Sequence, residues 1–528
     1  MRITRKRTGA IIAVLMASVL ALSGCSAGDS GKQRAWVGVV HGDPMNFGLN
    51  AQLAVGTAPL LFSAQILDPL IFLSADGKFS PALAKSWKLS DDGLTLTLQI
   101  RQGVKWHDGK PFTAEDVKFN FDEIVPLQVY GAELTKKISS VEIDGKNTVV
   151  IHLTEPYGPL IAVVSSEFML PKHIYEGTDY LTNKANKKPI GTGPMMFDTY
   201  TPGSEVALKK NPDYWGGKVK VDHAIYTVIA DGNTSAEALF AREVDEVVLD
   251  PAAQARVSKD KNTKLLESGS FPQDVHMMFN AKNKYLADPA VRRAVFSAID
   301  RKALVKTALA GLGTPAKGFF PPSLDWAVNP DVNFDTDFPY NVDATNKALD
   351  EAGLKRGPDG TRFTIKALYI TALHDIVSVV EMAQSMLQKV GIKLELNSVG
   401  GAAYVDKLYK QHDFDLAFVR GPIGPDPSLG IANWYECNKA GAIGRNPSGI
   451  CDPQIDANAA AALATTDQSK RGVAFKAMQA RAEELMFYAP LAWYNGAFPT
   501  ISTANWKGQD APRVMAERRP WLTMTPAQ

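Results

Sequence analysis

Residues 81–124 read PALAKSWKLSDDGLTLTLQIRQGVKWHDGKPFTAEDVKFNFDEI, and the apolar spacing changes period once along them. Leu94, Leu96, Leu98 and Ile100 alternate with Thr95, Thr97, Gln99 and Arg101, which sets one apolar row on a core face and predicts a half-buried strand. Asp91-Asp92-Gly93 before it and His107-Asp108-Gly109-Lys110-Pro111 after it supply the residues of tight turns. Thr113 and Asp116 then form a capping box with Asp in the usual Glu position, and Val117, Phe121 and Ile124 share one side of the helix it opens. His107 beside Asp108 has the composition of an acid/base pair, but neighbours in a turn are surface decoration, and that is the expectation for these two.

The same run resembles, as the ordered words LAKSW, SDDGLT and LQIRQGVKWHDGKPFTAEDVKF, the signature of the family 5 extracellular solute-binding proteins. These are the oligopeptide, dipeptide and nickel receptors of ABC importers. The resemblance implies an α/β fold of the periplasmic-binding-protein-like type II, two lobes with an extra inserted domain, and makes residues 81–124 scaffold rather than ligand site. On this expectation residues 36–75, 190–277 and 496–528 build lobe I, 76–189 the inserted domain and 278–495 lobe II. A length of 528 residues suits about three domains at roughly 150 residues each.

Hydrophobic residues at 45% and charged residues at 21% are soluble-globular values, and the formal net charge is +1. Arg2, Arg5, Lys6 and Arg7 sit in the first 24 residues, so the rest is slightly acidic and no nucleic-acid partner is expected. Ile11 to Leu22 follows that basic start and is too short to span a hydrocarbon core of ~30 Å as a helix, which marks 1–24 as a signal peptide. Leu22-Ser23-Gly24-Cys25 resembles a bacterial lipobox, implying diacylglycerol on Cys25, cleavage before it and acylation of the new amino terminus. Several acyl chains hold a protein on a membrane where one does not, so an exported, lipid-anchored receptor is expected on the outer face of the cell membrane or in the periplasm, with 25–35 as its tether. Cys437 and Cys451 remain. In an oxidising compartment they are expected to close a fifteen-residue loop, worth ~3 kcal/mol on the loop-entropy model; a metal site is the alternative, without zinc-like spacing or a nearby His.

Trp36 to His41 reads as a strand, and the Gly/Asn-rich loop after it carries Phe47-Gly48-Leu49-Asn50 where the family usually shows Leu-Asp-Pro. The resemblance places this loop at the cleft edge, which makes Val55, Gly56 and Thr57 candidate ligand contacts. Pro189-Ile-Gly-Thr-Gly-Pro194 resembles the family's return from the second domain to the first; a phosphate loop is the other reading, but neither GxGxxG nor GK[ST] occurs. Asp288 and Pro289 are the N-cap and first turn of a helix bearing Val291, Ala294, Val295 and Ala298, with the crossing into lobe II expected near His276 to Asn280. From Asp343 strands and helices alternate, predicting a largely parallel sheet.

In such sheets ligands lie beyond the carboxyl ends of strands, so the strand Phe414 to Val419 aims Arg420, Gly421, Ile423 and Asp426 at the cleft. Peptide-binding relatives carry a pattern like Gly-Trp-x-x-Asp-Tyr-x-Asp-Pro here, whose first aspartate holds the ligand's α-amino group. Aligned on Pro427, this chain has Ile423 at that aspartate, Arg420 at the tryptophan and Asp426 at the second acid. Ile423 cannot pair with an ammonium, whereas Arg420 is a permanent planar cation suited to a carboxylate or phosphate. The expectation is a ligand with an anionic group met by Arg420; the alternative is an internal pair of Arg420 with Asp426 or another acid. Trp434, Tyr435, Trp493 and Tyr494 resemble the aromatic positions that line family clefts; taken singly, each has a place in the core as the alternative.

The function expected is a monomeric receptor that binds extracellular peptides and delivers them to the permease subunits of an ABC importer. It needs no cofactor and no resident metal, and catalyses nothing. A non-peptide, anionic solute such as an opine, an oligosaccharide or a metal chelate is the other cargo. From other classes come an exported hydrolase, for which neither GxSxG nor HExxH occurs, and a sensing lipoprotein.

Overall fold

The computed structural model describes residues 34–42, 57–128, 130–513 and 519–527. Strand Thr95–Ile100 lies inside a four-stranded antiparallel sheet ordered Ala84–Leu89, Thr95–Ile100, Thr148–Leu153, Ile138–Asp144. Its alternation is the expected one: Leu96, Leu98 and Ile100 are buried, and the residues between them are half-exposed. Helix Ala114–Phe119 follows, with the N–H and hydroxyl of Thr113 both donating to Asp116 Oδ2, at 2.9 and 3.2 Å. Val117, Phe121 and Ile124 are buried, the last two on a π turn, Asn120–Ile124, that continues the helix. This sheet and helix share a core with Trp106, Phe112 and Leu160.

His107 departs from its expectation. Its Nδ1 accepts the Gly191 N–H at 3.2 Å, its Nε2 lies 3.0 Å from Gly193 O, and its own N–H donates to Gly191 O at 2.8 Å. One ring nitrogen accepts while the other donates, which is the neutral imidazole, and burial pushes the ring's pKa down to about 4. The turn therefore clamps the crossing at 189–194. Gly191 and Gly193 also pack against the end of helix Thr57–Ile66, where a Cβ on Gly191 would overlap the Ile66 carbonyl.

A seven-stranded sheet runs Thr263–Leu265, Thr500–Ser502, Glu246–Val247, Trp36–Val40, His223–Val228, Glu205–Lys210, Met195–Thr201. A six-stranded sheet runs Gly313–Pro315, Tyr488–Tyr494, Gln273–Phe279, Leu416–Pro422, Phe363–Ile370, Ile392–Val399 and carries the largest core. That sheet is mixed rather than largely parallel. Only Phe363–Ile370 runs parallel to its neighbours, Ile392–Val399 and Leu416–Pro422, and the other pairings are antiparallel. The reason is connectivity: Gln273–Phe279 brings the chain in from the other lobe and Tyr488–Tyr494 takes it back, so the two must run in opposite senses. Gln273–Phe279 joins the six-stranded sheet along its whole length, so the crossing precedes the expected 276–280. Among the described residues two segments link the lobes, and they are tied together: Leu266 N–H donates to Pro499 O at 2.9 Å, and Ser268 Oγ to Asn495 Oδ1 at 2.6 Å. Cys437 and Cys451 form a disulfide.

Candidate ligand cleft

Because Gln273–Phe279 is antiparallel to both neighbours, its first residues lie beside the last residues of Leu416–Pro422 and Tyr488–Tyr494. Gln273, Asp274, Arg420, Gly421, Trp493 and Tyr494 therefore share one end of the sheet, the end from which the chain crosses to the other lobe. Across from it, Asp250, which precedes helix Pro251–Val257 of the first lobe, stands 3.2 Å from His374 at the start of helix His374–Lys389.

Alternation divides these residues between the two faces of the sheet. On one face Arg420 Nε donates to Asp375 Oδ2 at 2.6 Å and Nη1 to Gln273 Oε1 at 2.9 Å. Asp375 lies in the first turn of helix His374–Lys389 and is buried, a placement that a helix N-terminus favours for a carboxylate. Tyr494 packs here too; burial, and next the Asp375 carboxyl, hold its hydroxyl well above the usual phenol range. Arg420 thus reaches the cleft end already paired, with Asp375 rather than Asp426.

Asp426 is engaged elsewhere. Its oxygens take the Arg471 guanidinium two-handed, at 2.7 and 2.6 Å, and Oδ1 also accepts the Ser428 N–H at 2.9 Å. Arg471 in turn donates to Ala462 O at 2.9 Å and Gly158 O at 3.4 Å, so the pair fastens the four-stranded domain to the second lobe. Ile423 is likewise interior, at 1% exposure, where its carbonyl accepts the Ile431 N–H at 3.0 Å and Gly424 and Gly430 abut. An apolar side chain at this position packs in the core of the second lobe.

On the other face stand Asp274 and His276, 2% and 1% exposed, neither anticipated as a site residue. The Tyr488 hydroxyl donates to Asp274 Oδ2, and His276 Nδ1 lies 3.2 Å from the Asp274 carbonyl and 3.4 Å from Oδ2. The His276 ring is 4.4 Å from Tyr488 and 5.1 Å from Trp434, which itself stacks on Tyr488 at 5.6 Å. Trp434 is half-buried; Trp493, 4% exposed, pairs with Asp274 in the sheet. The signal for this cluster was present in QDVHMMF, where Asp274 and His276 are polar residues two apart in an otherwise apolar strand. Thr57 begins helix Thr57–Ile66, while Val55, Gly56 and Cys25 lie outside the described residues. Among the described residues no group of three or more His, Cys, Asp or Glu is placed to hold a metal ion.

A family model, that of the bacterial extracellular solute-binding proteins, family 5 middle, matches residues 78–442. The dipeptide-binding protein of Escherichia coli K12 is 29% identical over 511 residues, 91% of this chain and 92% of the relative. The glutathione-binding protein GsiB of Salmonella typhi is 30% identical over 430 residues, 78% of this chain and 80% of the relative. Among solved structures, that of NikA from Brucella suis in complex with Fe(III)-EDTA superposes with a TM-score of 0.82 at 24% identity, covering 94% of this chain and all of that one.

Proposed function

From the premise that the chain belongs to the family 5 bacterial extracellular solute-binding proteins, we propose that it is the receptor of an ABC importer, taking peptides from outside the membrane and delivering them to the permease subunits. The observation that carries this reading is the meeting of strand ends from one lobe with the helix edge of the other, around two tied crossings on which the lobes can swing. Hinge closure around a solute and release on opening is what such a connection supports. ATP hydrolysis belongs to the partner subunits, and the receptor leaves its cargo chemically unchanged. Lipidation at Cys25 tethers it, as a monomer, to the membrane, so that capture occurs next to the permease; Cys25→Ser should release the protein from membranes.

Native mass spectrometry of the purified protein tests the reading. A retained peptide, matched by loss of uptake of that peptide on deletion of the gene, is the expected result. A cargo that leaves with altered mass overturns it in favour of a hydrolase. One observation favours a second cargo class: Ile423, at the position where peptide-binding relatives carry an aspartate for the α-amino group, sits in the core. A retained opine, oligosaccharide or metal chelate is the outcome that supports that class.

A further inference from the structure

Three buried polar atoms of the Asp274 cluster have no hydrogen-bond partner among the described residues: Asp274 Oδ1, His276 Nε2 and the Tyr435 hydroxyl. All three residues are at most 2% exposed, and Tyr435 packs on the shared Tyr488 ring at 5.0 Å. Burying such atoms unsatisfied is costly, so the cluster is built around something more than its own side chains.

The hydrogen-bond roles say what that is. His276 Nδ1 faces only oxygens of Asp274, so it carries the ring hydrogen and Nε2 presents a lone pair. Asp274 Oδ1 is also an acceptor, since Oδ2 is the oxygen that takes the Tyr488 hydroxyl. Two open acceptors and a hydroxyl, one of them on an acid, call for a group rich in N–H donors. The rings of Trp434, Tyr435 and Tyr488 surround them, and aromatic faces attract cations. Arg420 cannot serve, because it lies opposite Val275, on the other face of the sheet, and is paired with Asp375.

An approach exists from the cleft. Asp274 is paired across the ladder with Gly421, and a Cβ placed on Gly421 would meet nothing within 4 Å. Residues opposite each other in a ladder point to the same face, so the missing side chain leaves open space at the end of the sheet on the face that Asp274 occupies.

We propose that Asp274, His276 and Tyr435, walled by Trp434 and Tyr488 and reached over Gly421, form a subsite for an alkylammonium group of the cargo. This rests on the reading of the chain as a peptide receptor. It assigns recognition of the cationic end to an acid on the incoming strand, in a chain where Ile423 provides none.

The ammonium has two sources in a peptide, the amino terminus and a lysine side chain. Three tripeptide pools separate them: free-amine peptides of Ala, Gly, Val and Ser; the same peptides N-acetylated; and N-acetylated peptides containing lysine. Each pool is offered to the purified protein freed of bound solute, and retention is read by native mass spectrometry. The expected result is retention of the free-amine or the lysine pool at least tenfold above the acetylated, lysine-free pool. Asp274→Asn should lower that retention at least tenfold. Gly421→Val, which fills open space and leaves the cluster's residues intact, should do the same, and it keeps the test decisive should Asp274→Asn fold poorly. Equal retention of all three pools, or retention by Gly421→Val within threefold of the unaltered protein, overturns the subsite while leaving the receptor reading standing. Capture of none of the pools removes the peptide reading and the subsite together.

Discussion

Removing the Asp426 carboxylate strips a buried guanidinium of its two-handed partner, and the loss falls on stability because Arg471 has no other acid within ion-pair distance among the described residues. Breaking a buried pair by deleting one member costs about 3–5 kcal/mol. Asp426→Ala should therefore lower the urea unfolding free energy by about that much, and the four-stranded domain should loosen from the second lobe, read as faster hydrogen exchange around Gly158. His107 gives a pH prediction at the same scale. Its folded pKa of about 4 lies below the ordinary 6.5, so between those values the unfolded chain takes up a proton that the folded chain refuses. This contribution is complete above pH 6.5 and is lost as pH falls through that window. His107→Gln, which keeps one donor and one acceptor without titrating, should show a smaller drop in urea midpoint between pH 7 and pH 4.5 than the unaltered protein.

At the scale of elements, two glycines in similar chain contexts have opposite tolerances. Gly191 lies where the 189–194 crossing presses on the end of helix Thr57–Ile66, and an added Cβ overlaps backbone that cannot yield as a side-chain tip would. Gly191→Ala should cost about 1–3 kcal/mol. Gly421, at the end of strand Leu416–Pro422, faces open space, and Gly421→Ala should leave thermal stability within about 0.5 kcal/mol of the unaltered protein, measured in parallel melts. Both glycines sit beside a crossing or a cleft, yet only the first is required by packing. The paired crossings show the same economy: the bonds between 266–268 and 495–499 hold two connecting segments side by side, so closure moves them as one ribbon.

For the whole molecule, the contact between the Asp250 carboxylate and the His374 ring spans the two lobes, 3.2 Å apart with both side chains substantially exposed. An exposed polar contact is worth about 1 kcal/mol at most, so it biases closure without commanding it. Asp250→Asn should weaken apparent affinity for the co-purified solute by no more than about fivefold in titration calorimetry, through a shift towards the open form. A much larger loss would place Asp250 in direct contact with the cargo.

Sequence alone determined whatever is set by local period and turn chemistry. The alternation at 94–101, the Thr113–Asp116 capping box and the Asp288–Pro289 helix start all appear in the structure, because each depends on neighbours within a few residues. Partners far apart in the chain were decided only by the tertiary structure. Asp375 meets Arg420 across 45 positions, Asp426 meets Arg471 across 45, and Asp274 meets Tyr488 across 214. The strand direction that makes the second-lobe sheet mixed was hidden for the same reason, since it follows from where the chain leaves one lobe and re-enters the other. Periodicity tells a side chain which face to occupy; only the fold brings its counter-charge to that face.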